Sequence, residues 1–263
     1  MNYAQLDMKA SAGFGYVPGP QPLAWALDYP NIPVVTSELV RLGQWYPVCF
    51  ARGETGVEMV LPAGPAPGHS MLINNQTGLW IGRTMPFYLR RFPFAVGYQT
   101  ASEGHLLHFL SLAQRPEVQL SADAPQPVIA LDGSLTDRAK AMIKRLVRHD
   151  KIRALDAKRI KFLDELGLFV PHEIDFGDLP EGLTAPAHLK IDEAALMRLE
   201  GEAVAQLHAL KAWRMIYGHL FSIRLTGAPK KFQARLAQRQ AQMVEKSQDV
   251  FDILDEDDGL IEF

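Results

Sequence analysis

An α+β fold is predicted for this chain, with a β-rich N-terminal part packed against a helical C-terminal part, and three features predict it. Up to about residue 132, short apolar runs alternate with Gly- and Pro-rich breaks, the pattern of strands and turns. From Ser134 onward the apolar period changes from near 2 to near 3.6 residues, the period of an amphipathic helix. No internal repeat or low-complexity block interrupts either part, and 263 residues can bury a core without crosslinks. The organisation that follows is a β-rich part with short helices over 1–132, a helical part of the same domain over 133–228, and a helical extension with an acidic tail over 229–263.

In chain order, the runs "IPVV", "YPVCFA", "VEMVL", "SMLI" and "HLLHFL" read as strands, separated by the turn chemistry of "PAGPAPGH" and "NNQTG". Two short helices interrupt them. "TSELVRLGQ" opens on a Thr36 or Ser37 cap and ends near Gly43; "PFYLRRF" has Pro86 at its first position and Pro93 as a stop. In the rear part, "SLTDRAKAMIKRLVRHD" starts at a Ser134 or Thr136 cap and places Leu135, Ala139, Met142, Ile143, Leu146 and Val147 on one stripe. "DAKRIKFLDELG" reads as a second helix ending at Gly167. "IDEAALMRLEGEAVAQLHAL" reads as two short helices around Gly201, with Asp192 as N-cap and Glu193 beside it. Last come "KAWRMIYGHLFSIRL", with Trp213, Ile216, Tyr217 and Leu220 three and four apart, and the polar "PKKFQARLAQRQAQMVEKSQ".

Composition excludes several classes. The only cysteine, Cys49, lies in an apolar run, so no disulfide forms within the chain and a reducing compartment, the cytoplasm, is expected. The start lacks the basic and apolar regions of a signal peptide, and no run approaches the ~20 apolar residues that span a bilayer. A formal charge of -3 gives no global attraction to polyanions. There is no P-loop, and the glycines of "GFGYVPG" have neither the spacing nor the following helix of a dinucleotide fingerprint. No G-x-S-x-G elbow supports serine hydrolase chemistry.

The remaining polar clusters have structural readings. His105 and His108 in "EGHLLHF" are the only weak metal candidates, and they lack an identifiable third ligand. His172 and Asp175 read as loop residues. The basic stretch from Arg138 to Lys161 lacks stacking aromatics, so it reads as a solvated helix face, and nucleic-acid binding is disfavoured. The tail "VFDILDEDDGLIEF" sets six acidic residues among Phe251, Ile253, Leu254, Leu260, Ile261 and Phe263, a pattern suited to docking in cis or on a partner.

The segment "MPFYLRRFPFAVGY" holds two adjacent arginines in an aromatic setting. On a helix Arg90 and Arg91 point about 100° apart, so one is expected to be structural, meeting a carboxylate such as Glu38, Glu58 or Glu103, a carbonyl cluster or an aromatic face. The other can receive a carboxylate, phosphate or acidic peptide between apolar walls formed by Trp80, Phe87, Tyr88 and Phe92.

The blocks "NIPVVTSELVRLGQWYPVCFA", "NNQTGLWIGRTMPFYLRRFPF", "LFVP", "LKIDEAALMRL" and "YGHLFSIRL", in that order, make the chain resemble the SapC family of bacterial proteins over about residues 30–225. The double arginine with its following aromatic, proline and phenylalanine is the most specific block. The stretch after "VEMVL", the segment "EGHLLHF" and the tail beyond Pro229 depart from the family pattern. The family takes its name from an association with surface-layer proteins, is often labelled a peptide transporter component, and tends to be encoded near TonB-dependent receptors and flavin-dependent halogenase-like enzymes. The resemblance therefore implies an accessory part in ligand uptake or modification, without catalytic residues; the lack of spanning segments contradicts a permease. The expected function is a non-enzymatic accessory protein that needs no cofactor and binds a peptide or protein partner. Its candidate contacts are Trp80, Phe87, Tyr88, Arg90, Arg91, Phe92, Phe251 and Phe263; a homo-oligomer stays open. The alternative is an enzyme, metal-dependent or otherwise, acting on a peptide or small acid.

Overall fold

The structure is a computed structural model and describes residues 2–100, 106–115, 118–179, 181–227, 230, 231 and 234. Ten strands and six α-helices are defined among them, with both element types as expected for an α+β chain. The strands are β1 (Tyr3–Gln5), β2 (Gly15–Tyr16), β3 (Asn31–Pro33), β4 (Cys49–Gly53), β5 (Gly56–Pro62), β6 (Phe94–Thr100), β7 (Leu106–Ala113), β8 (Leu120–Ser121), β9 (Phe169–His172) and β10 (His188–Ile191). The helices are α1 (Leu39–Leu42), α2 (Phe87–Arg90), α3 (Asp137–Glu165), α4 (Glu193–Leu196), α5 (Gly201–Ala209) and α6 (Trp213–Ser222).

The central sheet runs β3-β5-β4-β10-β9 with antiparallel neighbours throughout. Its hairpin β4–β5 closes through Gly53 and Gly56, and Gly56 takes a positive φ that side-chain-bearing residues avoid. Three consecutive residues of β5, Met59, Val60 and Leu61, are buried, so both faces of this sheet are covered. β9 and β10 come from the rear part, which is therefore not purely helical. Four-residue runs, one carrying Pro171, have too little pattern of their own to announce strands; their partners define them. A second sheet, β1-β7-β6, and the short pair β2–β8 complete the strands. Of the expected strand "SMLI", only an isolated bridge from Ile73 to Trp80 forms.

The helix readings need one substantial correction. The two helices expected at 134–150 and 156–167 are one continuous helix, α3, of 29 residues. No Gly or Pro separates them, and nothing in "KIRAL" breaks the i to i-4 ladder. Thr136 is its cap, accepting from the Ala139 amide at 3.3 Å. Asp192 caps α4 as expected, accepting from the Ala195 amide at 3.1 Å.

α3 joins two apolar clusters. Ala139 and Leu146 pack with Leu6, Phe94, Leu110 and Ile129 under the three-stranded sheet, whereas Ile160 and Leu163 belong to the larger cluster of the central sheet. Four buried polar side chains, Thr36, Asp156, His219 and Ser222, lock the surrounding segments. Thr36 does not cap α1; its amide and hydroxyl both donate to Asp156 of α3, each at 2.7 Å. Arg159, one turn on, donates to Asp156 at 2.7 Å and to the Leu210 carbonyl after α5 at 2.8 Å. Fully buried His219 of α6 accepts from the Ile191 amide at 3.1 Å, and its Nδ1 hydrogen-bonds the Val48 carbonyl at 2.7 Å. With Nε2 an acceptor, Nδ1 carries the proton. Ser222 receives the Val48 amide at 3.0 Å, completing the tie between α6 and the entry to β4.

Candidate functional site

The aromatic-arginine segment folds around the short helix α2. Glu38 organises its start from outside: its carboxylate accepts from the Phe87 amide at 2.6 Å and from the Val35 amide at 3.4 Å. An acidic group at these orphan N–H groups is electrostatically favoured. Glu38 also lies 3.8 Å from His149 Nε2. It is thus engaged by amides and a histidine and pairs with neither arginine.

Successive positions on α2 diverge, and the two arginines enter different cavities. Arg90 is exposed, its guanidinium 5.7 Å from the Phe87 ring, and it lines a cleft of about 420 Å3. Arg41 of α1 and Arg145 and Arg148 of α3 line the same cleft, with Ser37, Thr84 and Phe87. Among the described residues none of these four arginines has a carboxylate within ion-pair distance. Arg91 is half-buried. It lies 5.0 Å from the Tyr88 ring and 5.7 Å from the Tyr3 ring, at the edge of a separate cavity of about 570 Å3.

His149 lines both cavities and rests its ring on Phe87 at 4.8 Å. Burial works to lower its pKa, but Asp150 and Glu38 outweigh burial and raise it above the ordinary histidine value. Asp150 is lowered on balance: burial opposes ionisation, while His149, the Tyr98 hydroxyl at 3.0 Å and nearby arginines favour it. Burial pushes the Tyr88 phenol up to about 12, keeping it neutral.

Other expected contacts lie elsewhere. Phe92 stacks on Trp25 with centroids 4.5 Å apart and lines a third cavity with Tyr16 and Arg115. Trp80 packs edge-on to Tyr46 at 6.1 Å in the main cluster. Neither walls the Arg90 cleft or the Arg91 cavity. Glu58 lines the Arg91 cavity as an exposed residue and makes no ion pair with Arg91 among the described residues. His108 is exposed on β7, its ring 5.3 Å from Tyr98. Glu103, His105, Phe251 and Phe263 lie outside the described residues. Among the described residues no three His, Cys, Asp or Glu side chains are grouped to hold a metal. His149, Arg41, Tyr3 and Asp150 were not singled out from sequence. The one legible signal was Arg145 and Arg148, three apart within the basic stretch and so on one side of a helix.

The architecture and site define an antiparallel α+β protein with an arginine-lined cleft at the meeting of three helices. No helix among the described residues is long and apolar enough to cross a membrane. The family model for SapC matches residues 14–227, and the chain belongs to the SapC family. No curated protein and no solved structure matches it.

Proposed function

We propose that the chain is a non-enzymatic accessory protein of the cytoplasm that binds a peptide or protein partner through an acidic segment received in the Arg90 cleft. The observation that carries this reading is the cluster itself. Four guanidinium groups from α1, α2 and α3 line one cleft, and the single carboxylate among its lining residues, Glu38, is already engaged by two amides and His149. Like charges brought together favour an anionic ligand, and arginine forks suit carboxylates. Phe87, Leu42 and Ile152 add apolar wall, so a segment mixing acidic and large apolar residues matches the cleft better than a bare ion. The reducing compartment is supported by Cys49, which is buried and unpaired.

The chain's own acidic segment, 249–263, supplies a probe of the right chemistry. A synthetic peptide of that sequence, titrated into protein truncated after Gln248, is expected to bind saturably and to weaken steeply with added salt. The Arg145→Glu, Arg148→Glu double variant should lose about tenfold or more in affinity. An analogue with every Asp and Glu replaced by Asn and Gln should not bind. Equal binding of that analogue, or undiminished binding to the double variant, overturns the proposal. Weaker binding to the intact chain than to the truncated one would place the tail in the cleft in cis; equal binding would leave the cleft to a partner.

A further inference from the structure

The second cavity differs from the arginine cleft in both shape and charge. It lies where α3 meets both sheets, so its walls come from segments far apart in sequence: Val34 and Val35 after β3, Met59 of β5, Val96 of β6 and Ile160 of α3. At about 570 Å3 it falls in the ordinary range for small-molecule sites, and these walls are apolar. Two guanidinium groups edge it, that of exposed Arg153 and that of half-buried Arg91. Arg91 lies against the faces of Tyr3 and Tyr88, its Nε is buried without a hydrogen-bond partner, and among the described residues no carboxylate pairs with it. Nε itself is closed off, but the rest of this half-buried fork is open and has no hydrogen-bond partner among the described residues, which makes it a strong position for an anionic acceptor.

The remaining charges limit what that acceptor can be. Asp150 already meets His149, the Tyr98 hydroxyl, Arg153 and Arg91, Glu58 stands exposed at the edge, and Asp156 is consumed by Thr36 and Arg159. A dianion would face carboxylates of its own sign; a monoanion needs only the Arg91 fork. We infer that this cavity is a binding site for an amphipathic monocarboxylate, with the carboxylate on Arg91 between Tyr3 and Tyr88 and an apolar body against Val35, Met59 and Ile160. Exposed Glu58 and Arg153 mark its mouth. The site is separate from the peptide cleft and touches it only through His149.

Titration calorimetry of the intact chain with dodecanoate tests the assignment, with dodecan-1-ol, dodecyl phosphate and acetate as comparisons. One dodecanoate per chain is expected, bound at least about tenfold more tightly than the alcohol, because the alcohol cannot satisfy the charged fork. Dodecyl phosphate should bind more weakly than dodecanoate, and acetate should not saturate. Arg91→Met keeps an apolar stem and should bring the acid down to the level of the alcohol. Ala154→Trp, on the exposed side of α3 at the cavity, should abolish binding of both and carries the test if Arg91→Met fails to fold. The proposal is overturned by no saturable dodecanoate binding, by equal binding of acid and alcohol to the native chain, by tighter binding of the phosphate, or by undiminished binding in Arg91→Met.

Discussion

His219 shows how much one residue can be asked to do. Its ring sits between α6, the entry to β4 and the end of β10, and both nitrogens are used by backbone groups. Burial lowers its pKa to about 4, and burial holds His188, hydrogen-bonded to Asn31 at 2.8 Å, at about 4 as well. Above pH 6.5 these histidines are neutral in both folded and unfolded chains. As pH falls from 6.5 to 4 the unfolded chain takes up protons that the folded chain refuses, so stability is lost across that window, by on the order of 3 kcal/mol per histidine. His149 works the other way: its raised pKa contributes stability that is present below 6.5 and lost as pH rises. The His149 contribution is already in place below pH 6.5 and does not oppose the loss, so the melting temperature should fall steadily between pH 6.5 and 4. His219→Gln, whose amide can still donate to Val48 and accept from Ile191, should flatten the slope; an unchanged slope would show that His219 does not carry it. From sequence His219 is simply one residue in "YGHLFSIRL", because a histidine's partners 28 and 171 positions away leave no local mark.

At the level of elements, the family block containing His219 is a docking surface within the fold. A Cβ on Gly218 would come within 2.9 Å of the Leu39 side chain, so glycine lets α6 approach α1 closely. The expected stripe on this helix was partly displaced: Met215, Ile216, His219 and Ser222 are buried, whereas Tyr217 and Phe221 are exposed. Spacing identified a helix without saying whether its neighbours would cover the side of Met215, Ile216 and His219 or the aromatic side of Trp213, Tyr217 and Phe221. The Thr36–Asp156–Arg159 contact is the comparable device on α3. Replacing buried Asp156 with Ala strands the Thr36 amide and the Arg159 guanidinium, and should cost about 3–5 kcal/mol in denaturant unfolding. A loss under about 1 kcal/mol would mean that water replaces the carboxylate readily.

The molecule as a whole is organised by α3, which contributes to both apolar clusters and forms walls of both arginine cavities. Lys151 lies on its exposed side between the two cluster contacts. Lys151→Pro should therefore cost about 3 kcal/mol or more in local helix energy and loosen both sheets together. Hydrogen exchange provides the check: protection should drop in β4–β5 and in β6–β7, and a drop confined to one sheet would show that the two clusters unfold independently. Period, caps and breakers act within a few residues, so the α+β class, the Asp192 cap, the helices around Gly201 and the divergence of Arg90 from Arg91 were all legible in the chain. The continuity of α3 was equally local, yet two stripes facing two different sheets disguised it as two helices. The membership of β9 and β10 in the central sheet, the diversion of Glu38 from arginine to backbone amides, and the gathering of Arg41 and Arg90 beside Arg145 and Arg148 came only with the tertiary structure. Each is a contact between segments remote in sequence, and such contacts are set by how whole surfaces pack, which no short window of residues encodes.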